Sequence, residues 1–279
     1  MIELKYSQNY IKNSRIVQDI LSLTNISKND VVYEIGAGKG IITKELCNCS
    51  NSVIASELDY SLYIFLKEKF ARTNNLKLIH GDFLKLDLPS TKYKIFANIP
   101  FQITASIIHK ITNIKDAPTD SYLIIQKEAA LKYSGFLKES MQALLLKPLF
   151  SINIIKYLNR TEFTPEPNVD IVVIHIQKKK NIVVDYELYQ NFICYFFSKY
   201  NTNIKSSFKE LFSYEQIKRL GKINHFNIKD NVSTLTFNEW FPIFQFFLTS
   251  CSNKHYLVEN SYEKYQKQQS KVIKRHRNQ

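Results

Sequence analysis

Val31-Val32-Tyr33-Glu34-Ile35-Gly36-Ala37-Gly38-Lys39-Gly40 is the stretch on which the fold turns. Its first five residues form a compact β-branched run, which reads as a strand. The strand runs straight into a turn of three glycines, and Ile41 to about Cys47 then reads as a helix. Strand, glycine turn, helix is the opening unit of a doubly wound, nucleotide-binding sheet. Glycines in such a turn let the backbone approach a ligand closely. The spacing narrows the ligand. A dinucleotide fingerprint needs glycine where Ile41 stands, and a P-loop needs Ser or Thr where Gly40 follows Lys39. The remaining pattern, ExGxGxG from Glu34, suits a ligand without a pyrophosphate.

The next strands end in polar residues. Val53–Ser56 reads as a strand with Glu57 at its end, 21 positions after Gly36. A carboxylate near that offset accepts hydrogen bonds from ribose hydroxyls; the plainer role is an acid at the start of the helix Tyr60–Phe70. Leu76–His80 is a third strand, followed by Gly81-Asp82-Phe83. Asp82 suits an adenine exocyclic amine and Phe83 the flank of the ring, with an Asx-turn as the alternative for Asp82. Lys94–Ala97 is the fourth strand and ends at Asn98. Helix-length segments separate these strands, which predicts a parallel sheet with right-handed crossovers. The candidate residues then share one edge, where ligands of open α/β sheets bind.

Asn98-Ile99-Pro100-Phe101 stands out among them. Proline stops the strand, so an amide, two carbonyls and an aromatic ring are presented together. An exocyclic base amine is a poor nucleophile because its lone pair is delocalised into the ring. Two acceptors aimed at its hydrogens, Asn98 Oδ1 and the Ile99 carbonyl, localise that lone pair, and Phe101 stacks on the base. A strand end with a proline turn and a core phenylalanine is the plainer alternative.

Further along, Gln102–Ile111 reads as a helix, Ser121–Gln126 as a fifth strand, and Ile152–Leu158 and Asp170–Gln177 as late strands. Between the late strands lies the stiff loop Phe163-Thr164-Pro165-Glu166-Pro167, where Phe163 either presses on the opposite face of a target base or plugs the core. From Lys178-Lys179-Lys180 onward strand signals stop and helices follow, with an aromatic cluster (Phe192, Phe196, Trp240, Phe244) that reads as a small domain's core. The boundaries expected are 1–178 for the sheet domain, 179–253 for the helical domain and 254–279 for a basic tail, frayed or disordered.

The chain of 279 residues carries 38 Lys and Arg against 25 Asp and Glu, net +13. The excess is uneven: residues 1–177 hold 21 basic and 17 acidic residues, net +4, and residues 178–279 hold 17 and 8, net +9. A polyanionic partner is implied, nucleic acid or an acidic membrane surface. The four cysteines form no CxxC pair and the six histidines are scattered, so neither a metal site nor a disulfide framework is indicated. No apolar run nears the ~20 residues needed to span a bilayer. A cytoplasmic protein with reduced cysteines is expected.

Taken together, Ser7-Gln8-Asn9-Tyr10-Ile11, Glu34–Gly40, Glu57-Leu58-Asp59, Gly81-Asp82-Phe83, Asn98–Phe101 and Phe163–Pro167 resemble, in order, the rRNA adenine N6-dimethyltransferases. The resemblance implies an α/β fold: a Rossmann-like class I methyltransferase sheet with a small all-helical C-terminal domain. It implies S-adenosylmethionine as cofactor, with its ribose at Glu57, its adenine at Asp82 between Leu58 and Phe83, and its methionine end at Asn9, Ile11 and the turn Gly36, Gly38, Gly40. It also implies a flipped-out target adenine, held by Asn98, Ile99, Pro100, Phe101 and Phe163. No metal, no membrane and a monomeric enzyme acting on rRNA are expected. The Ile99-containing tetrapeptide and Lys94-Ile95-Phe96-Ala97 are most similar to the Erm-type enzymes of 23S rRNA, which confer macrolide resistance. Gln126-Lys127-Glu128 and Phe163-Thr164-Pro165 are more similar to the 16S rRNA enzymes of ribosome biogenesis. Asp170 departs from the family's small polar residue there. Non-catalytic relatives that serve as transcription factors are the other class, and the intact motif set favours an enzyme.

Overall fold

The β-branched run Val31–Ile35 becomes a strand, because such side chains pack well on a pleated surface. The computed structural model describes residues 9–113, 115–180, 184–197 and 202–268. It divides into two units, Met1–Ser134 with Leu149–Lys180 and Gly135–Pro148 with Asn181–Gln279.

The first unit contains β1 (Tyr10–Ile11), α1 (Ser14–Leu21), β2 (Val31–Ile35), α2 (Ile41–Cys49), β3 (Ser52–Glu57), α3 (Tyr60–Lys69), β4 (Leu76–His80), β5 (Lys94–Asn98), α4 (Thr104–Ile111), β6 (Asp120–Gln126) and α5 (Lys127–Ser134). After α6 (Met141–Leu146), which belongs to the second unit, come β7 (Phe150–Leu158), β8 (Phe163–Thr164) and β9 (Ile171–Lys178). Seven strands form one sheet in the order β4-β3-β2-β5-β6-β9-β7. The parallel order read from the sequence holds from β4 through β6. The late strands instead run antiparallel, β9 against both β6 and β7. Antiparallel neighbours need no helical crossover, so residues 159–170 suffice to join β7 to β9.

The chain steps from β2 outward to β4 and then returns to lay β5 beside β2. A switch in winding direction opens a crevice beyond the carboxyl ends of the two central strands. Their centres are fully buried: Val32, Ile95, Phe96 and Ala97. A separate two-stranded ribbon pairs β1 with β8, placing Tyr10 opposite Thr164 and Ile11 opposite Phe163.

The second unit is helical: α6 (Met141–Leu146), α7 (Tyr186–Phe197), α8 (Ile204–Phe208), α9 (Tyr214–Ile223) and α10 (Phe237–Ser250). Its core is the aromatic cluster read from the sequence, with Phe192, Phe196, Trp240, Phe244 and Phe247 all buried. Phe192 meets Phe196 and Phe247 at 5.0 Å between ring centroids. Two boundaries differ from expectation. Gly135–Pro148 joins this unit, since Met141, Leu144 and Leu145 lie in its core. The expected frayed tail is folded as far as it is described. Ser252–Leu257 forms a 3-10 helix, residues 261–268 are helical, Val258 is buried, and Tyr262 and Tyr265 pack on the aromatic core. Residues 269–279 lie outside the described residues.

Candidate functional site

The crevice between β2 and β5 holds a cavity of about 60 Å³. Three segments distant in sequence line it: Asn9–Ile11, the glycine turn with Ile41 and Ile42, and Asn98–Phe101. Eight of the residues read as site candidates therefore converge: Asn9, Ile11, Gly36, Gly38, Asn98, Ile99, Pro100 and Phe101. Ser7 and Gln8 lie outside the described residues.

Asn98 is held by its amide. Its Nδ2 donates to the Asn9 carbonyl at 2.7 Å. A carbonyl accepts and cannot donate, so this bond fixes which end of the amide is which and leaves Oδ1 as the acceptor end. Ile99 donates its N–H to Ile124 O at 3.1 Å. Its own carbonyl lies past the end of β5, and Pro100 behind it supplies no donor.

The turn's glycines have separate reasons. Gly36 sits at φ +70°, where a side chain is strained, and a Cβ there would meet nothing within 4 Å. Its missing side chain is room for a ligand. Gly38 lies under Tyr10, whose Cε1 would be 2.9 Å from an added Cβ. Gly40 departs from the expected cofactor role. An added Cβ would stand 2.6 Å from the Phe70 ring and 2.8 Å from Leu66, and Gly40 does not line the cavity, so the position serves the packing of α3 on α2.

Glu57, Leu58, Asp82 and Phe83 stand outside the cavity lining, at the adjoining ends of β3 and β4. Glu57 is 3% exposed. Its carboxylate accepts from Gly38 N at 2.8 Å and Asp59 N at 2.9 Å, which clamps the glycine turn to β3. Each oxygen keeps a second lone pair. Gly81 N donates to Glu57 O at 2.9 Å and brings Asp82 alongside. Asp82 Oδ1 accepts from Leu84 N at 3.0 Å, an Asx-turn. Leu58 is exposed, whereas Phe83 is buried edge-on against Tyr33 at 5.4 Å.

Phe163 contradicts the expectation of a base contact. It is 0% exposed and packs in the sheet core with Ile11, Leu158 and Ile171. It anchors β8 and therefore β1, which places the Asn9 carbonyl against Asn98. Asp170 takes the neighbouring position and binds Arg160 and Lys127.

Lys110 was not read from the sequence, and Tyr10 and Glu34 entered it only as members of the motifs Ser7–Ile11 and Glu34–Gly40. Tyr10 covers Gly38, and burial, reinforced by the Glu57 and Asp59 charges, raises its phenol pKa. Lys110 reaches from α4 to donate to Phe83 O at 2.7 Å and to Leu86 O, holding the loop that carries Asp82. Burial lowers its pKa, against the pull of Asp87 and Asp82. Glu34 is fully buried in β2, and among the described residues neither carboxyl oxygen has a hydrogen-bond partner. Burial pushes its pKa up to about 8, the Glu57 charge adding to this and Thr43 opposing it. An acid after three apolar strand residues was the available signal.

Residues 2–248 match the family model for ribosomal RNA adenine dimethylase. The chain belongs to this family. Family relatives agree over most of their length. An rRNA adenine N-6-methyltransferase of Bacillus licheniformis is 31% identical over 242 residues, covering 85% of this chain and 84% of that one. A ribosomal RNA small subunit methyltransferase A of Mycoplasma mobile is 35% identical over 223 residues, covering 78% and 87%. Among solved structures, the 23S rRNA methyltransferase ErmE superposes with TM-score 0.79 at 20% identity, covering 85% of this chain and 98% of that one, which shows the shared fold. Among the described residues no helix is long and apolar enough to cross a membrane, and no His, Cys, Asp and Glu group is placed to hold a metal.

Proposed function

We propose that this family member transfers methyl groups from S-adenosylmethionine to N6 of an adenine in 23S rRNA, and that its expression confers macrolide-type resistance. The observation that carries the chemistry is the Asn98–Asn9 bond, which engages the amide's donor end and leaves Asn98 Oδ1 as an acceptor, with the Ile99 carbonyl taken as the second. The residues present fit the cofactor's reacting end: Gly36 leaves open space in the cavity wall, and Asn98 and Ile99 line the same cavity.

The cofactor supplies an electrophilic methyl on sulfonium. Asn9–Ile11 and the turn at Gly36 and Gly38 would hold its methionine end, and Glu57, Asp82 and Leu58 its adenosine. Asn98 Oδ1 and Ile99 O accept from the two N6 hydrogens of a flipped adenine. The amine lone pair is thereby turned out of conjugation toward the methyl. As positive charge develops on N6, the two acceptors bind it more strongly than they bind the neutral amine, which lowers the barrier. Phe101, half-buried at the cavity wall, offers its ring to the base. Fixed positions of both partners supply the remaining rate enhancement.

The Ile99-containing tetrapeptide supports 23S rRNA as substrate. A 16S rRNA reading has its own support in Gln126-Lys127-Glu128, Phe163-Thr164-Pro165 and the small-subunit relative of M. mobile. Methyl transfer from labelled cofactor to protein-free 23S rRNA, compared with 30S particles and followed by mapping of the modified base, separates them. Modification of 23S rRNA with resistance in a sensitive host is the expected result; modification confined to 30S particles refutes the 23S assignment.

A further inference from the structure

The first unit carries a second cleft at the opposite edge of its sheet. It lies at the amino-terminal ends of β5 and β6, where Lys94 pairs with Asp120, and beside the end of β9. β5 has five residues, so the cleft is separated from Asn98 by roughly 13 Å of strand. Its volume is about 520 Å³, within the range of sites that hold a nucleotide-sized group.

Five lysines line it, Lys92, Lys115, Lys178, Lys179 and Lys180, against the carboxylates of Asp116 and Asp120. Asp120 is already committed: it accepts from His175 at 2.8 Å, Asn25 at 3.1 Å and Gln177 at 3.2 Å. The lysines come from three separate segments, which backbone bonds join to one another and to the start of β7. Thr119 N donates to Tyr93 O at 3.0 Å, Lys178 N to Thr119 O at 2.9 Å, and Lys179 N to Leu149 O at 2.8 Å. The frame thus sets the exposed Lys92, Lys115 and Lys180 around one cleft, a concentration of positive charge that favours a polyanion. Among the described residues the first cavity has one lysine, Lys39, in its lining, which leaves this basic surface unexplained.

We infer that this cleft binds the phosphate backbone of the RNA substrate at a point remote from the target adenine. The inference rests on the RNA-directed reading above. The buried carboxylate of Asp120 at the floor keeps an anion at the lysine rim, which suits a strand passing across the cleft better than a small anion sunk into it. Only an RNA that continues well past the target nucleotide reaches it. Contacts of this kind position the substrate without reading sequence.

The test replaces Lys92, Lys115 and Lys180, all exposed, with glutamine in the full chain. RNA binding is followed by fluorescence anisotropy across a salt titration without cofactor, on a long 23S rRNA fragment and on a minimal stem-loop. Loss of two to three phosphate contacts lowers the slope of log K against log salt on the long RNA by about 2. Stem-loop binding, cofactor affinity and melting temperature stay as in wild type, and the triple Lys→Arg variant keeps the wild-type slope. An unchanged slope in the glutamine variant, or an equal loss on the stem-loop, overturns the inference. Because binding is read without methyl transfer, a catalytically silent wild type that still shows the cleft-dependent slope would count against the proposed activity and leave this surface standing.

Discussion

Replacing Phe163 separates a core anchor from a base-stacking ring. Its side chain is 0% exposed among Ile11, Leu158 and Ile171. Full burial of a phenylalanine contributes about 1.5–3 kcal/mol, and truncation to alanine adds a cavity, for a total of about 3–5 kcal/mol. Phe163→Leu keeps most of the volume and costs about 1 kcal/mol, a fall in Tm of about 2–4 °C for a unit of this size. Below its melting range the Leu variant keeps its β1–β8 pairing, and so its Asn9–Asn98 bond. Single-turnover methyl transfer should then match wild type closely. Had the ring stacked on the adenine, losing it would remove about 1–3 kcal/mol of base binding, roughly 5- to 150-fold in kcat/KM. Thermal unfolding and single-turnover rates measured on one preparation decide the matter. Unchanged Tm with a large loss in kcat/KM would refute the core assignment.

Glu34→Gln should change how stability varies with pH. The folded-state pKa is raised to about 8, above the unfolded value, so the native state binds the extra proton and wild type loses stability as pH rises from about 4.5 through about 8. The Gln variant should lack that decline in denaturant titrations and be the more stable form at pH 9; parallel pH profiles would contradict it. Gly40→Ala should destabilise by about 1–3 kcal/mol through overpacking on Phe70 and a strained φ, while calorimetry on the folded variant shows cofactor affinity near wild type. Truncation after Asn253 should lower Tm, because it removes buried Val258 along with Tyr262 and Tyr265; truncation after Gln268 should retain that core, and equal Tm values for the two would show that the segment contributes nothing.

The parallel half of the sheet was legible because each strand is a short, largely apolar run that ends in a turn signal or polar residue and is followed by a helix-length segment. The converging edge followed from that alternation, and with it the meeting of Gly36, Gly38 and Asn98. What sequence spacing does not carry is partnership between distant segments. Phe163 faces the core because β8 pairs with Tyr10–Ile11, more than 150 positions earlier. Gly40 is required by Leu66 and Phe70 of a different helix. Lys110 organises the Asp82 loop from across the fold. The folded part of the tail did leave a trace: Val258, Tyr262 and Tyr265 recur at helical spacing, hidden within a basic composition that reads as solvated chain.

The acceptor pair at Asn98 and Ile99 is tested most directly by Asn98→Ala, with kcat, RNA affinity and cofactor affinity measured side by side. The Asn9 bond is an ordinary hydrogen bond, so its loss costs about 1 kcal/mol of stability. A preorganised group aimed at developing charge is worth about 10²–10³ in rate. The predicted result is a fall in kcat of that size on rRNA, with both affinities near wild type. A variant that keeps its kcat, or loses activity only through weaker RNA or cofactor binding, would contradict the assignment of Asn98 as the acceptor that activates N6.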